Sequence, residues 1–270
     1  MRRLDWAQYR APEFALIDPM ETIAILPTAA IEQHGPHLPV GVDMMIAEGM
    51  LAALRRQCPE DLDIRILPVQ AVGKSNEHLH AAGTLTLSAQ TALAAWVELG
   101  LSVARAGVRK IVIVNSHGGN LDLVSILSRE LRVRAGMMAV KCQWSSFGQP
   151  EGMYPPRELT YGIHGGDVET SIMLALHPEL VDMAAARDFA STAEGAPIAP
   201  VGPVSLGWIS SDLNPAGTVG NAAIATAQKG EATIGHQVAG LITLLRSLKS
   251  LPLEGYAPVA QSGQFPSFAS

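Results

Sequence analysis

The feature that most constrains the fold is an alternation of short, almost wholly apolar runs with longer segments of helical periodicity. Runs without a polar side are typical of strands that are covered on both faces, as in a parallel sheet between helical layers. Turn signals and helical segments follow these runs, which is the order of βαβ units. The pattern predicts strands at residues 22–28, 64–69, 110–115 and 138–144.

The helical segments have recognisable ends. Ser88 and Asn120 are expected N-caps, and Gly136 is expected to end the helix that Asn120 begins. Pro178 comes soon after the helical pattern that starts at Asp167 and excludes its continuation. Helices are predicted at residues 43–57, 88–106, 121–135, 167–176 and 221–248.

Two stretches lack this periodicity. Residues 194–215 are rich in Pro, Gly and Ser, which predicts a long surface loop and not a domain boundary. After Lys249 the chain offers little apolar surface to offset the entropy of ordering. We therefore expect one domain over residues 1–249 and a loosely ordered C-terminal tail over residues 250–270.

Composition and charge exclude several classes of protein. Hydrophobic residues make up 48% of the 270 residues and charged residues 16%, which suits a buried core and excludes a disordered chain. The formal net charge of −6 and the lack of long Lys/Arg runs argue against nucleic acid or membrane as a partner. The polar start of the chain and the well-separated Cys58 and Cys142, expected as reduced thiols, predict a cytoplasmic protein with a small-molecule partner.

Three polar motifs rich in histidine, glycine and carboxylate follow predicted strands or open predicted helices. In an open α/β sheet these are the positions at which ligands bind. The first motif is IEQHGPH at residues 31–37 together with Asp43, the second is NSHGGN at residues 115–120, and the third is HGGDVETS at residues 164–171.

The first two motifs have the side chains of a metal site. Glu32 and His34 are separated by one residue, so on an extended segment both side chains point to the same side. Asp43 returns at a helix start, and its two oxygens can bridge two cations. His117 lies in a glycine-rich turn whose small neighbours leave the imidazole accessible. Imidazole and carboxylate without thiolate favour Zn, Mn, Fe, Co or Ni.

In this order and spacing, the three motifs resemble those of the creatininase family of metal-dependent amidohydrolases. The resemblance runs from Leu4 to about Lys249 and includes the 73–84 loop, GKSNEHLHAAGT. It implies an α/β fold, a three-layer α/β/α sandwich with a mostly parallel central sheet in a single domain. It also implies a homo-oligomer, which is a hexamer by family analogy. Each subunit is expected to bind two divalent metal ions, zinc or manganese in preference to iron, cobalt or nickel.

The resemblance also implies roles for single residues. The four residues of the predicted metal site carry over as ligands, with Asp43 bridging the ions. Creatinine-hydrolysing members have a further glutamate ligand where this chain has Gly119, and Glu169 is the nearest carboxylate that could replace it. Glu169 is otherwise a catalytic residue that orients water, or a carboxylate favoured by a helix N-terminus. Substrate contacts or support of the ligands are expected from His37, Glu77, His78, Asn120 and Trp144.

The activity that the resemblance implies is hydrolysis of a non-peptide or cyclic C–N amide bond in a small molecule. The nucleophile would be a hydroxide shared by the two ions, and His164 would protonate the leaving amine unless its role is structural. Alternatives within the family are a peptidase-like maturation enzyme and a deformylase, although a nucleotide deformylase would need Lys or Arg that the motifs lack. A different class is a non-catalytic metal-dependent binding protein on the same fold.

Overall fold

A computed structural model, which describes residues 2–258, contains a four-stranded parallel sheet. Its strands are β1 (Ile23–Thr28), β2 (Ile64–Ile66), β3 (Lys110–Asn115) and β4 (Met138–Gln143). They lie in the order β2-β1-β3-β4, and each neighbouring pair is parallel. Every residue of β1 and β3 is buried, as the apolar runs predicted for central strands.

Helices and one small strand pair complete the described part of the chain. The α-helices are α1 (Ala11–Phe14), α2 (Val42–Gln57), α3 (Ala89–Arg105), α4 (Leu121–Ala135), α5 (Pro156–Tyr161), α6 (Asp167–Leu176), α7 (Ser210–Leu213) and α8 (Ala227–Ser250). Short 3-10 helices lie at Trp6–Gln8, Asn76–His78, Gly118–Asn120, Trp144–Phe147, Pro178–Leu180 and Ala222–Ile224. β5 (Asp188–Phe189) pairs antiparallel with β6 (Gly220–Asn221).

The sheet separates two apolar layers. Side chains alternate along a strand, so Ile25 of β1 packs with α2, α6 and α8, whereas Leu26 packs with α3 and α4 on the other face. Val112 and Ile113 of β3 divide in the same way. Full burial of each such side chain contributes about 1.5–3 kcal/mol. The predicted α/β/α sandwich around a parallel sheet, in one domain, is therefore confirmed.

Most predicted elements are found, and the differences have local causes. Ser88 caps α3 by accepting a hydrogen bond from the backbone N–H of Thr91 at 3.2 Å. β2 is shorter than predicted because Pro68 has no N–H to donate to the ladder. The last helix begins at Ala227, six residues late, because residues 220–221 pair with β5 and Thr226 provides the N-cap.

The predicted cap of α4 is wrong in its mechanism. Asn120 lies at the N-cap position, but its side chain makes no cap hydrogen bond. Its Oδ1 instead accepts from the N–H of Lys74, and its Nδ2 donates to the carbonyl of Ala29, both at 3.0 Å. Asn120 therefore ties the 73–84 loop to the end of β1.

The two stretches without periodicity differ from each other. Residues 194–207 are irregular and largely exposed, and α7 adds one helical turn, so the predicted surface loop is found. The first residues after α8 are held in place: Arg109 donates to the carbonyl of Tyr256 at 2.6 Å, and Arg132 to that of Ala257 at 2.9 Å. Residues 256–257 of the predicted tail therefore lie against the domain, and residues 259–270 lie outside the described residues.

Between residues 2 and 258, no helix combines the length and the apolar character that crossing a bilayer requires.

Candidate metal centre

The three motifs meet beyond the carboxyl ends of the two central strands. The chain leaves β1 through the first motif, where Ile31 bridges to Leu85 and keeps the segment extended. Asp43 follows in the first turn of α2, and His117 lies just after β3. The third motif opens α6, whose first turn places Glu169 beside them. Parallel strands bring their carboxyl ends to one edge of the sheet, which is why residues so distant in sequence converge.

One group of side chains, the first ligand set, consists of Glu32, Asp43 and His117. Nδ1 of His117 lies 3.3 Å from Oε1 of Glu32 and 3.2 Å from Oδ2 of Asp43. Two ligands bound tetrahedrally to one ion at 2.0–2.2 Å would be about 3.3–3.6 Å apart. Nδ1 of His117 therefore has the spacing of a ligand that shares a cation with each of these two carboxylates.

A second group, the second ligand set, consists of His34, Asp43 and Glu169. Nε2 of His34 lies 3.4 Å from Oδ1 of Asp43 and 3.8 Å from Oε2 of Glu169. Nδ1 of His34 donates to the carbonyl of Glu32 at 3.0 Å, which leaves Nε2 as the lone-pair nitrogen facing the centre. Asp43 thus contributes one oxygen to each set.

The centre is buried and strongly negative. Burial alone would lower the pKa of His34, but the charges of Asp43, Glu169 and Glu32 raise it to about 9. Burial would likewise lower the pKa of His117, but Glu32, Asp43 and Glu77 raise it well above its usual range. Burial, and the repulsion of Asp43, raise the pKa of Glu169 to about 7. A field that favours protons on these imidazoles also favours a divalent cation between them.

The residues at the centre fit a metal ion. Nε2 of His34 and Oδ2 of Asp43 are buried and have no hydrogen-bond partner among residues 2–258. Leaving such atoms unpaired costs about 1–3 kcal/mol each, which coordination would offset. The donors are imidazole and carboxylate, as borderline and hard divalent ions prefer.

Glu77 supports His117 from the 73–84 loop. Nε2 of His117 donates to the carbonyl of Lys74 at 2.9 Å and lies 3.5 Å from Oε1 of Glu77. Burial opposes ionisation of Glu77, but His117 and Lys74 lower its pKa to about 2. A side chain at Gly119 would place its Cβ 2.0 Å from Oε1 of Glu77. Glu77 therefore fills the space that a larger residue 119 would need.

His164 lies inside the centre, and a hydrogen bond fixes one of its two ring nitrogens. Its Nε2 donates to the carbonyl of Gln33 at 2.7 Å, and its Nδ1 lies 3.5 Å from Oε1 of Glu32. Its ring packs at a tilt against those of His34 and His78, with centroids 4.2 and 4.3 Å away. Burial and these two neighbours lower the pKa of His164 well below its usual range.

Other predicted residues surround the ligands. Nε2 of His37 lies 3.0 Å from both the Gly165 carbonyl and Oγ1 of Thr170, which joins the first motif to the third. Nε2 of His78 lies 3.3 Å from Oε1 of Glu32. Oε2 of Glu169 accepts from the N–H of Gly165 at 2.6 Å, so this carboxylate also supports the start of α6.

A cavity of about 350 Å³ opens beside Glu169 and includes Trp144. Sequence reasoning missed two other polar residues that line it, Ser116 and Gln149. It also missed Gln33, which contacts both His78 and His164, and Ser75, whose hydroxyl donates to Glu32. Gln33 and Ser116 lie within the first and second motifs, beside predicted ligands. This position in the sequence was the signal that could have indicated a role in the site.

The comparisons with known proteins agree with one another. The family model described as creatininase, creatinine amidohydrolase, matches residues 7–245. Creatinine amidohydrolase of Pseudomonas putida is 29% identical over 260 residues, which cover 90% of this chain and 94% of that protein. Mycofactocin precursor peptide peptidase of Mycobacterium ulcerans (strain Agy99) is 31% identical over 222 residues, covering 79% and 80%. A solved structure described as "Creatininase Mn" has the same fold, with a TM-score of 0.71, 22% identity, and coverage of 93% and 100%.

Proposed function

The chain belongs to the creatininase family and is a hydrolase, and from this premise we propose that it hydrolyses a non-peptide or cyclic C–N amide bond in a small molecule. The observation that carries the proposal is that the two carboxylate oxygens of Asp43 face different groups of ligand atoms. Oδ1 of Asp43 faces His34, and Oδ2 faces His117. A carboxylate shared between two groups of ligand atoms suits a pair of neighbouring cations.

Two divalent ions per subunit, zinc or manganese, are the cofactors that this arrangement supports. The first ligand set would hold one and the second ligand set the other, with Asp43 common to both. When bound, such ions supply a water molecule of lowered pKa and polarise the carbonyl of the substrate. The chain itself contributes the negative, buried surroundings that keep the ions in place.

His164 is the residue that we propose to move the proton. Because Nε2 donates to the carbonyl of Gln33, Nδ1 is the nitrogen left free to accept a proton. Nδ1 faces Glu32 of the first ligand set at 3.5 Å, so the acceptor lies at the reacting centre. Burial lowers the pKa of His164, so its protonated form is a stronger acid than an ordinary imidazolium. A proton taken up at Nδ1 would pass readily to the leaving amine.

A peptidase-like maturation enzyme is the second candidate. It is favoured by the likeness to the mycofactocin precursor peptide peptidase, at 31% identity. The cavity of about 350 Å³ is near the lower end of the usual range for ligand sites, about 300–1,000 Å³, and suits a small molecule better than several residues of a peptide. A deformylase of a nucleotide has less support, because no Lys or Arg lines this cavity in the described chain.

Amine release is the direct test. Protein loaded with Zn²⁺ or Mn²⁺ would be incubated with lactams, hydantoins, formamides and short peptides, beside the same protein stripped of metal. We expect metal-dependent release from small amides and little from peptides. Preferential cleavage of peptides would favour the second candidate. Metal binding without hydrolysis of any compound would instead indicate a non-catalytic binding protein.

A further inference from the structure

Thr218 lies where the first and third motifs approach the segment that follows α7. It is buried, and its hydroxyl donates to the carbonyl of His164 at 2.6 Å. The N–H of Val219 donates to the same carbonyl at 2.8 Å, so this oxygen accepts two hydrogen bonds from neighbouring residues. The backbone of His164 is therefore held by a segment outside its own motif.

The side chain of Thr218 also packs against one glycine of each motif. A Cβ added at Gly35 would lie 2.5 Å from Cγ2 of Thr218, and a Cβ added at Gly165 would lie 2.2 Å from its Oγ1. These glycines have φ values of 76° and 68°, which a larger residue adopts only with strain. Thr218 thus fills the space that the two glycines leave, and a change at Thr218 would disturb both motifs.

The residue before Thr218 contributes to the orientation of the ring of His164. The carbonyl of Gly217 accepts a hydrogen bond from Nε2 of Gln33. The backbone carbonyl of Gln33 in turn accepts from Nε2 of His164 at 2.7 Å, which leaves Nδ1 to face Glu32. Residues 217 and 218 therefore support His164 twice, directly at its backbone and indirectly at its ring.

We propose that Thr218 is a positioning residue that fixes His164 with Nδ1 toward the reacting centre. Its hydroxyl sets the place of the His164 backbone, while the adjacent Gly217 holds the side chain of Gln33. Misplacement of a reacting group by about 1 Å can cost on the order of 10²-fold in rate, so a proton donor needs such support. This inference rests on the proposed function and adds to it a residue outside the three motifs.

Crystal structures of the metal-loaded protein and of its Thr218→Val variant test the placement without any substrate. Valine has the shape of threonine, but its methyl group cannot approach a carbonyl oxygen as closely as the hydroxyl does, at 2.6 Å. We expect the carbonyl of His164 to move away from residue 218, and Nδ1 to lie farther from Oε1 of Glu32 than in the unaltered protein. An unchanged position of His164 would overturn the inference.

Turnover of two formamides tests the consequence for proton transfer. N-Methylformamide releases a basic amine, whose nitrogen must take up a proton as the C–N bond breaks, whereas 4-nitroformanilide releases a weakly basic amine that needs less assistance. In metal-loaded Thr218→Val, kcat for N-methylformamide should fall about tenfold or more, a part of the usual general-acid contribution of about 10²–10⁴-fold. The kcat for 4-nitroformanilide should fall much less, and the metal content should stay the same. An equal loss for both amides would indicate a purely structural role.

Two further variants serve as controls. Thr218→Ser keeps the hydroxyl and should recover most of the turnover of N-methylformamide, and its failure to do so would contradict the role of the hydroxyl. Thr233→Val makes the same change at another buried threonine, in α8, whose hydroxyl pairs with that of Tyr154 at 2.8 Å. It should leave the ratio of the two kcat values unchanged. A ratio that shifts equally in Thr233→Val and Thr218→Val would count against the proposal.

The two kinds of measurement separate this inference from the proposed function. A displaced His164 in crystals of Thr218→Val, with no hydrolysis of any amide by the unaltered protein, would remove the proposed activity and keep Thr218 as the residue that fixes His164. Hydrolysis of amides with His164 unmoved in Thr218→Val would remove the positioning role and keep the activity.

Discussion

Asp43 is the residue on which both ligand sets depend, because each set uses one of its oxygens. It is buried, and although burial opposes ionisation, the neighbouring His34 and His117 hold its pKa well below the usual range. It therefore stays a carboxylate at any pH at which the protein would work. Its position in the first turn of α2 adds the favourable end of the helix dipole.

Asp43→Asn should lower the metal content from two ions to one or none per chain. Asparagine keeps the size of the side chain but has one oxygen and no charge, so it cannot serve two cations. Elemental analysis of purified protein after dialysis measures the change. His164→Ala is the contrasting variant: it should retain both ions and lose about 10²–10⁴-fold in turnover, the usual contribution of a general acid. Two ions retained in Asp43→Asn would contradict the shared carboxylate.

Because Glu77 contacts His117, we expect changes at Glu77 to alter the affinity for metal more than the metal content at saturation. Glu77→Gln removes the charge that faces Nε2 of His117 and should weaken metal binding by about 10–100-fold. Competition with a chromophoric chelator measures this. Glu98→Gln makes the same change on the exposed side of α3 and should have no effect. Equal affinities for the two variants would limit Glu77 to a structural role.

Single residues of the site were predictable where a motif fixed their spacing. Glu32 and His34 are separated by one residue, so on an extended segment their side chains share one side, and this local rule needed no tertiary information. Gln33 lies between them in sequence and contacts His164 only because the third motif folds back beside it. Contacts of this kind depend on how distant elements pack, which periodicity does not encode.

At the scale of elements, the start of α6 depends on a carboxylate from the preceding helix. Oε1 of Glu158, in α5, accepts from the N–H of Asp167 at 2.6 Å, and Oε2 accepts from that of Asn221 at 2.8 Å. A Cβ added at Gly166 would lie 2.1 Å from this carboxylate. Glu158 thus positions the helix that carries Glu169. A cap that comes from nine residues upstream has no local sequence signal.

Glu158→Ala should destabilise the protein by about 1–3 kcal/mol, because it leaves two buried backbone N–H groups without their acceptor. Urea unfolding, followed by circular dichroism, measures the loss. Glu151→Ala is the control, since Glu151 is exposed in the loop before α5. Glu158→Gln keeps one acceptor oxygen and should lie between the two. A stability equal to that of the control would show that another group caps α6.

At the scale of the whole molecule, the layers of the fold were predictable from the sequence, but the contacts between short segments distant in sequence were not. Wholly apolar runs such as residues 110–115 indicate a sheet covered on both faces, whichever helices cover it. The pairing of β5 with β6 involves only two residues on each side, too few for a periodic pattern. The docking of residues 251–258 depends on Arg109 and Arg132, which the local sequence does not connect with them.

The stability of the metal-free protein should fall as pH rises from 6.5 to 9. The pKa of His34 is about 9 in the folded chain and 6.5 ordinarily, so its proton stabilises the fold below pH 6.5 and is lost toward pH 9. A shift of this size corresponds to a loss on the order of 3 kcal/mol. Urea unfolding at the two pH values measures it.

Two controls accompany this pH measurement. His34→Gln should reduce the dependence, whereas His177→Gln, at a partly exposed histidine, should not. Saturating Zn²⁺ should also reduce it, because a cation then replaces the proton. A stability that is constant or rises between pH 6.5 and pH 9 in the metal-free protein would contradict the raised pKa of His34.

The ligand sets join the start of α2, the end of β3 and the start of α6, which belong to the sheet and to one of its two helical layers. A cation shared by these elements would act as a removable cross-link between the sheet and that layer. Its contribution would grow with the supply of free ion, by about 2.7 kcal/mol at a hundredfold excess over the dissociation constant. When the ion is scarce, the fold would become less stable and the hydrolytic activity would be lost at the same time. Resistance to proteolysis would then measure the fraction of the protein that has bound the ion.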